Sequence, residues 1–191
     1  MKLATAQKNP VTNTPAVSST ATLRANARRK IEEGAVTDTY SANREQVLKM
    51  LNDSLATEIV CMLRYKRHYF MATGVHAESV AKEFLEHATQ ETEHADAIAK
   101  RIVQLGGEPD FSPDTLTKRS HAEYVPGKTL LDMIKEDLVA ERIAIDSYRE
   151  LIAYLGDQDP TTSQMLKGIL AVEEEHADEL ADLLEGLPSK V

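Results

Sequence analysis

Four stretches of the chain repeat apolar residues at alternating steps of three and four, the spacing of a helix that buries one stripe. The first reads Leu51, Leu55, Glu58, Met62, Tyr65, and the second Val80, Phe84, His87, Glu91, His94, Ile98. The third reads Ile134, Leu138, Glu141, Ile145, Tyr148, Ile152, and the fourth Leu166, Ile169, Glu173, His176, Leu180. Every stripe is apolar at its ends and carries acids or imidazoles in its middle. Inward-facing carboxylates are costly, so their placement needs a cause.

Local signals set the expected boundaries. Residues 1–22 are rich in Ser, Thr, Ala and Pro and have no apolar period, so they read as irregular. Residues 23–33 predict a short basic helix ended by Gly34. Ser41 is the expected N-cap of the first long helix, which runs to about Ala72, before Gly74. The second is expected from about His76 to Leu105, where Gly106, Gly107 and Pro109 stop it. Thr129, with Asp132 three residues on, predicts a capping box for the third helix, which ends near Leu155 and Gly156. Asp159-Pro160 supplies an N-cap and a first-turn proline for the fourth, which runs to about Leu184.

Short links join the first helix to the second and the third to the fourth, so each pair is antiparallel. The middle link, 106–127, is long enough to reach about 65 Å. A helix of about 28 residues is only about 42 Å long, so the link can cross the whole bundle. The expected fold is all-α, a four-helix bundle of two antiparallel hairpins joined by a long crossover. Residues 1–40 are expected as an N-terminal extension and 41–187 as the bundle.

Composition agrees with this. Aromatics are 5%, Trp is absent, and Gly and Pro number 8 and 7. A single Cys excludes an intrachain disulfide framework and suits a reducing compartment. No apolar run approaches the roughly 20 residues that span a bilayer, so no membrane contact is expected. The opening MKLATAQKNPVTNT lacks the apolar stretch of a signal peptide, and a cytoplasmic location is expected. The net charge of −9 is uneven: Lys2, Lys8, Arg24, Arg28, Arg29 and Lys30 precede any acid, so residues 1–30 carry +6 and the remainder −15. Such an arm solubilises, packs against a neighbouring subunit, or contacts DNA phosphates.

The chemistry lies in a repeat. ETEHAD at 91–96 recurs as EEEHAD at 173–178. Glu58 lies 33 residues before Glu91, and Glu141 lies 32 before Glu173. Tyr65 follows Glu58 by seven residues, as Tyr148 follows Glu141. The pattern of Glu, then Tyr two turns on, then Glu-x-x-His on the next helix is stated twice. Glu-x-x-His places both side chains on one face, a turn apart. Four glutamates and two histidines are the ligand set of a two-metal site in a four-helix bundle. Two divalent cations balance four buried carboxylates by charge count. Mixed carboxylate and imidazole donors suit iron, with manganese as the alternative.

These residues resemble the bacterioferritin branch of the ferritin-like superfamily, over about residues 45–185. The resemblance implies that Glu91 and Glu173 bridge two iron ions per subunit, that Glu58 and Glu141 are terminal ligands, and that His94 and His176 each bind one metal. It implies that Tyr65 stands beside a ferroxidase centre, where it hydrogen-bonds a ligand or donates an electron; Tyr148 is its repeat mate or a core aromatic. The implied activity is oxidation of Fe(II) by dioxygen or peroxide, with iron storage and protection from oxidative stress. Three departures matter. Thr92 stands where bacterioferritins carry a haem-binding Met, so no haem is expected. The chain ends fifteen residues after His176, without the family's short fifth helix, which leaves a homo-oligomeric shell of 12 or 24 subunits open. The basic extension resembles Dps tails in charge, and DNA is an expected partner through it if that likeness extends to function. Dps proteins, however, place their metals between subunits, which this ligand pattern argues against.

Two other functions share these features: a different di-metal enzyme, such as a manganese catalase or rubrerythrin-like peroxidase, and a DNA-protecting protein acting through the arm. His87 reads as a hydrogen-bonded core histidine, a supporting partner of the ligands or a transit ligand. Cys61 reads as a packed small hydrophobe, with a redox role as the alternative. Arg64, Lys66, Arg67 and His68 are expected to face solvent or a subunit interface. Glu86, Glu174, Glu175 and Asp178 are expected on solvated faces, where they can also attract cations.

Overall fold

The structure is a computed structural model that describes residues 17–75 and 77–186. Of the irregular stretch expected at 1–22, residues 1–16 with Lys2 and Lys8 lie outside the described residues, as do the helix start expected at His76 and residue 187, whereas Thr20, Ala21 and Thr22 are helical rather than irregular. Among the described residues six α-helices follow in order: α1 (Thr20–Asn26), α2 (Arg44–Met71), α3 (Ala77–Gln104), α4 (Leu116–Arg119), α5 (Leu130–Leu155) and α6 (Pro160–Gly186). A single 3₁₀ turn, Ile31–Glu33, follows α1 and ends at Gly34, whose φ is 60°. The short basic helix expected at 23–33 is therefore two pieces. The first is capped by Ser19, which accepts a hydrogen bond from the Thr22 amide.

The long helices start and stop for local reasons. Asn43, rather than Ser41, caps α2 by accepting from the Gln46 amide. Gly107 N–H donates to the Ile102 carbonyl and Gly106 N–H to that of Val103, a Schellman end to α3 with Gly106 at φ 74°. Thr129 and Asp132 form a complete capping box on α5. Asp159 accepts from the Thr162 amide at 2.9 Å and from its hydroxyl at 2.6 Å, ahead of Pro160 in α6. Arg101 at the end of α3 bonds the same Asp159 at 2.9 Å and Thr162 at 2.7 Å, which ties one hairpin to the other.

Helix α2 packs chiefly on α3 and α5 on α6, and contacts of α2 with α5 and of α3 with α6 close the bundle. The crossover is pinned along α2 in register. Asn52 accepts from the Asp110 amide at 2.7 Å, Thr57 accepts from the His121 amide at 3.0 Å, and Arg64 donates to the Glu123 carbonyl at 2.8 Å. His68 and Arg67 reach the Pro126 carbonyl at its far end. Within it lies α4, one turn that the sequence pattern does not reveal; Leu116 seats it against Ala56 and Val60.

Arg64 and His68 do not face solvent as expected: both are buried. The reason is Asp137 of α5, which is itself buried. Arg64 Nε donates to Asp137 Oδ1 at 2.8 Å, and His68 Nδ1 lies 2.7 Å from Oδ2. One carboxylate thus meets a guanidinium and an imidazole, while the Glu123 and Pro126 carbonyls of the crossover and Cys61 Sγ face their other nitrogens. Asp137→Ala leaves the Arg64 charge buried and unpaired, and is expected to cost about 3–5 kcal/mol in denaturant unfolding. A loss under about 1 kcal/mol would show that the pair does not hold the two hairpins in register.

Candidate metal centre

The four predicted stripes meet at mid-bundle. Glu58, Glu91, Glu141, Glu173 and His176 are each about 1% exposed, and His94 is 7% exposed. Their donor atoms form two overlapping groups: Glu58, Glu91, His94 and Glu173, and Glu91, Glu141, Glu173 and His176. Within each group the atoms lie within 4.8 Å of one another. Glu91 and Glu173 belong to both. His94 Nδ1 is 2.9 Å from Glu173 Oε1 and 3.2 Å from Glu58 Oε2. His176 Nδ1 is 3.6 Å from Glu91 Oε1 and 3.7 Å from Glu141 Oε2.

The two tyrosines are placed by the helix directions. Seven residues advance a helix by about 10 Å. Because α2 and α5 run oppositely, Tyr65 rises beside Glu141 while Tyr148 descends beside Glu58. Tyr65 donates to Glu141 Oε1, and Tyr148 donates to Glu58 Oε1. Tyr148 is therefore the mate of Tyr65 in hydrogen bonding, and Glu141 and Glu58 are each held from the opposite hairpin.

Gln90 Oε1 lies 2.7 Å from His176 Nε2. An amide oxygen can only accept, so Nε2 carries a proton toward Gln90 and Nδ1 is the nitrogen turned to the carboxylates. That Nδ1, together with Glu91 Oε1 and Glu173 Oε1, is buried without a well-aligned hydrogen bond, the His94 contact to Glu173 Oε1 being an approach in distance only. Orphaned donor atoms converging from three side chains are what a cation would satisfy.

Without a cation the cluster shares protons unevenly. Burial, followed by the charges of Glu173, Glu58 and Glu141, raises the Glu91 carboxyl well above its ordinary 4.5. Burial and the charges of Glu58 and Glu141 do the same to Glu173. Burial also pushes Glu141 upward, but its bonds with His176, Glu173 and Tyr65 outweigh that and bring it down to about 2. Burial raises the Tyr65 and Tyr148 phenols well above 10.0, helped by the adjacent carboxylates.

Around this core, His87 is buried and stacks on His176 at 3.9 Å between ring centroids, while its Nε2 lies 2.9 Å from Glu179 Oε2. Burial, and then the neighbouring His176, lowers His87 to about 4. Burial and the Glu179 charge raise Glu83. Glu86, Glu174, Glu175 and Asp178 are exposed, as expected of solvated faces. Cys61 packs with Ala122 and Ala140, and burial pushes its thiol up, so it behaves as a small hydrophobe. The sequence reading missed Gln90, Glu83 and Glu179. Helical spacing was the available signal: Glu83 lies one turn before His87, and Glu179 lies three residues after His176.

Residues 48–189 match the model of the ferritin-like domain. The chain belongs to the ferritin-like family. Among ferritin-like relatives, the DNA protection during starvation protein of Pyrococcus furiosus is 32% identical over 149 residues, 76% of this chain and 80% of that protein. A bacterioferritin of Mycobacterium avium is 30% identical over 141 residues, 73% of this chain and 84% of that protein. The solved structure of the bacterioferritin-related protein of Bacteroides fragilis, described as a dodecameric thioferritin, superposes with a TM-score of 0.73 at 30% identity. That match covers 75% of this chain and 87% of the other.

The proton sharing sets a pH dependence. Glu91 and Glu173 hold protons more tightly folded than unfolded, so their contribution to stability is full below about 4.5 and is lost as pH rises. Glu141 contributes oppositely: its share is present above 4.5 and is lost as pH falls toward about 2. The stability advantage of the metal-free wild type over Glu91→Gln plus Glu173→Gln is expected to shrink as pH rises from 4.5, a comparison in which the opposite contribution of His87 cancels. Urea midpoints across pH, taken in chelator, measure both. A difference between wild type and variant that holds or widens as pH rises would contradict the assignment.

Proposed function

We propose that the chain is a ferroxidase that binds two Fe(II) per subunit within its own bundle and oxidises them to Fe(III). The observation that carries this reading is the sharing of Glu91 and Glu173 between two four-residue donor groups. Glu58 and His94 complete the group on one side, and Glu141 and His176 on the other. Glu91 and Glu173 then bridge the metals, and the other four bind one metal each. Anionic donors favour the higher charge of Fe(III), which lowers the barrier to giving up electrons. Each Fe(II) loses one electron. Dioxygen taking both with two protons leaves as hydrogen peroxide; hydrogen peroxide taking both with two protons leaves as water.

The protein's own groups orient and exclude. Tyr65 and Tyr148 hold the terminal glutamates in place, Gln90 fixes the His176 tautomer, and the apolar stripe ends keep bulk water from the reacting ions. The donor set supports iron first and manganese second.

Ferric product is stored if chains close into a shell. The dodecameric state described for the Bacteroides fragilis relative supports the smaller of the two expected shells. Exposed Phe70, Met71, Val75 and Val103 supply apolar surface for such contacts. The described part of the basic arm spends its charge locally: Arg29 pairs with Asp38 at 3.0 Å, and Arg28 donates to the Arg24 carbonyl at 2.6 Å. That favours packing over DNA contact for this segment.

Aerobic Fe(II) addition to the metal-free protein tests the reading. Wild type is expected to oxidise Fe(II) rapidly and to accumulate soluble iron far beyond about two per chain. Glu91→Ala plus Glu173→Ala is expected to abolish the rapid phase while circular dichroism shows the helices intact. Unchanged kinetics in the variant would overturn the bridging assignment, and uptake that stops at about two per chain would overturn storage.

A further inference from the structure

The six donors are buried at mid-bundle, so an ion needs a route to them. Among the described residues, one further cluster of candidate ligands reaches from solvent toward the centre: Glu83, His87 and Glu179. The Glu83 and Glu179 side chains are 30% and 42% exposed, while His87 is 1% exposed. His87 Nε2 lies 2.9 Å from Glu179 Oε2 and 3.6 Å from Glu83 Oε1. Its other nitrogen, Nδ1, is buried with no hydrogen-bond partner. His87 also forms a compact donor group with Glu141 and His176 of the centre, and its ring lies flat on that of His176. One imidazole is therefore common to a half-exposed donor group and a buried one.

The internal repeat shows that these residues are not demanded by the bundle. Aligning Glu91 with Glu173 places Ile169 opposite His87, Met165 opposite Glu83 and Ala97 opposite Glu179. All six ligands and both tyrosines keep their mates, but each member of this cluster has an apolar one. Ile169 lies in the apolar core with Leu51, Leu55 and Ile98. The half of the centre near His94 therefore lacks the polar extension that the half near His176 has.

We infer that Glu83, His87 and Glu179 form a third divalent-cation site, which captures Fe(II) at the surface and passes it through His87 to the Glu141–His176 half of the centre. Two carboxylates and an imidazole suit a hard to borderline cation such as Fe(II), Mn(II) or Zn(II). The paired carboxylates raise the local cation concentration at the mouth, and no redox step occurs there. The loading role rests on the ferroxidase reading; the binding site does not.

Equilibrium dialysis of the full-length metal-free protein against Zn(II) separates the two. Wild type is expected to hold one more Zn(II) per chain than Glu83→Gln plus Glu179→Gln, and Glu91→Ala plus Glu173→Ala is expected to keep that extra ion. Equal stoichiometry in wild type and the Glu83/Glu179 variant would overturn the third site. Retention of the extra ion with no binding at the centre would overturn the ferroxidase reading alone. With Fe(II) in place of Zn(II), the Glu83/Glu179 variant is expected to oxidise limiting Fe(II) about tenfold more slowly, a deficit that narrows as Fe(II) rises. Equal rates at limiting Fe(II) would overturn the loading role.

Discussion

Everything in this structure answers to the burial of four carboxylates in one apolar bundle. Ionised, unpaired acids cost several kcal/mol each in such a place, and a chain that folds around them must compensate. Without metal the compensation is partial. Burial pushes the Glu91 and Glu173 carboxyls upward, Tyr65 and His176 hold Glu141 low, and three donor atoms lack a well-aligned hydrogen bond. The native state is thereby held short of its best electrostatic arrangement, in a geometry that, on the proposed reading, two divalent cations would complete. Strain of this kind is what a binding site requires and what a purely structural core avoids.

The scaffold that holds this cluster is apolar above and below it and polar where the hairpins must be kept in register. Leu51, Leu55, Ile98 and Leu166 close one end; Phe84, Ile134 and Leu180 close the other. Asp137 draws Arg64 and His68 inward, and Asp159 does the same for Arg101, so each hairpin is pinned to the other by a buried ion pair. These pins fix the relative height of α2 and α5, on which the reciprocal bonds of Tyr65 and Tyr148 depend. The geometry of the mid-bundle cluster thus rests on charge pairs well away from it.

The bundle and its buried Glu/His cluster were legible because both follow helical period. Glycine, proline and capping residues punctuate the chain, and a duplicated Glu-x-x-His with matched upstream glutamates cannot sit at stripe positions by accident. Less was legible wherever a partner came from a distant element. Arg64 and His68 read as surface residues because their compensating Asp137 stands 73 and 69 positions on. The turn at α4 has no period of its own and forms because Leu116 finds Ala56 and Val60. Gln90, Glu83 and Glu179 are ordinary polar residues in sequence; only packing of α3 on α6 shows what they face.

Crystals of the metal-free protein soaked in Fe(II) without oxygen, and measured at the iron absorption edge, test the central claim most directly. The account predicts two anomalous peaks inside each bundle, both in contact with Glu91 and Glu173, one also touching Glu58 and His94 and the other Glu141 and His176. Iron bound only at surface carboxylates, with the interior donors keeping their metal-free contacts, would contradict it.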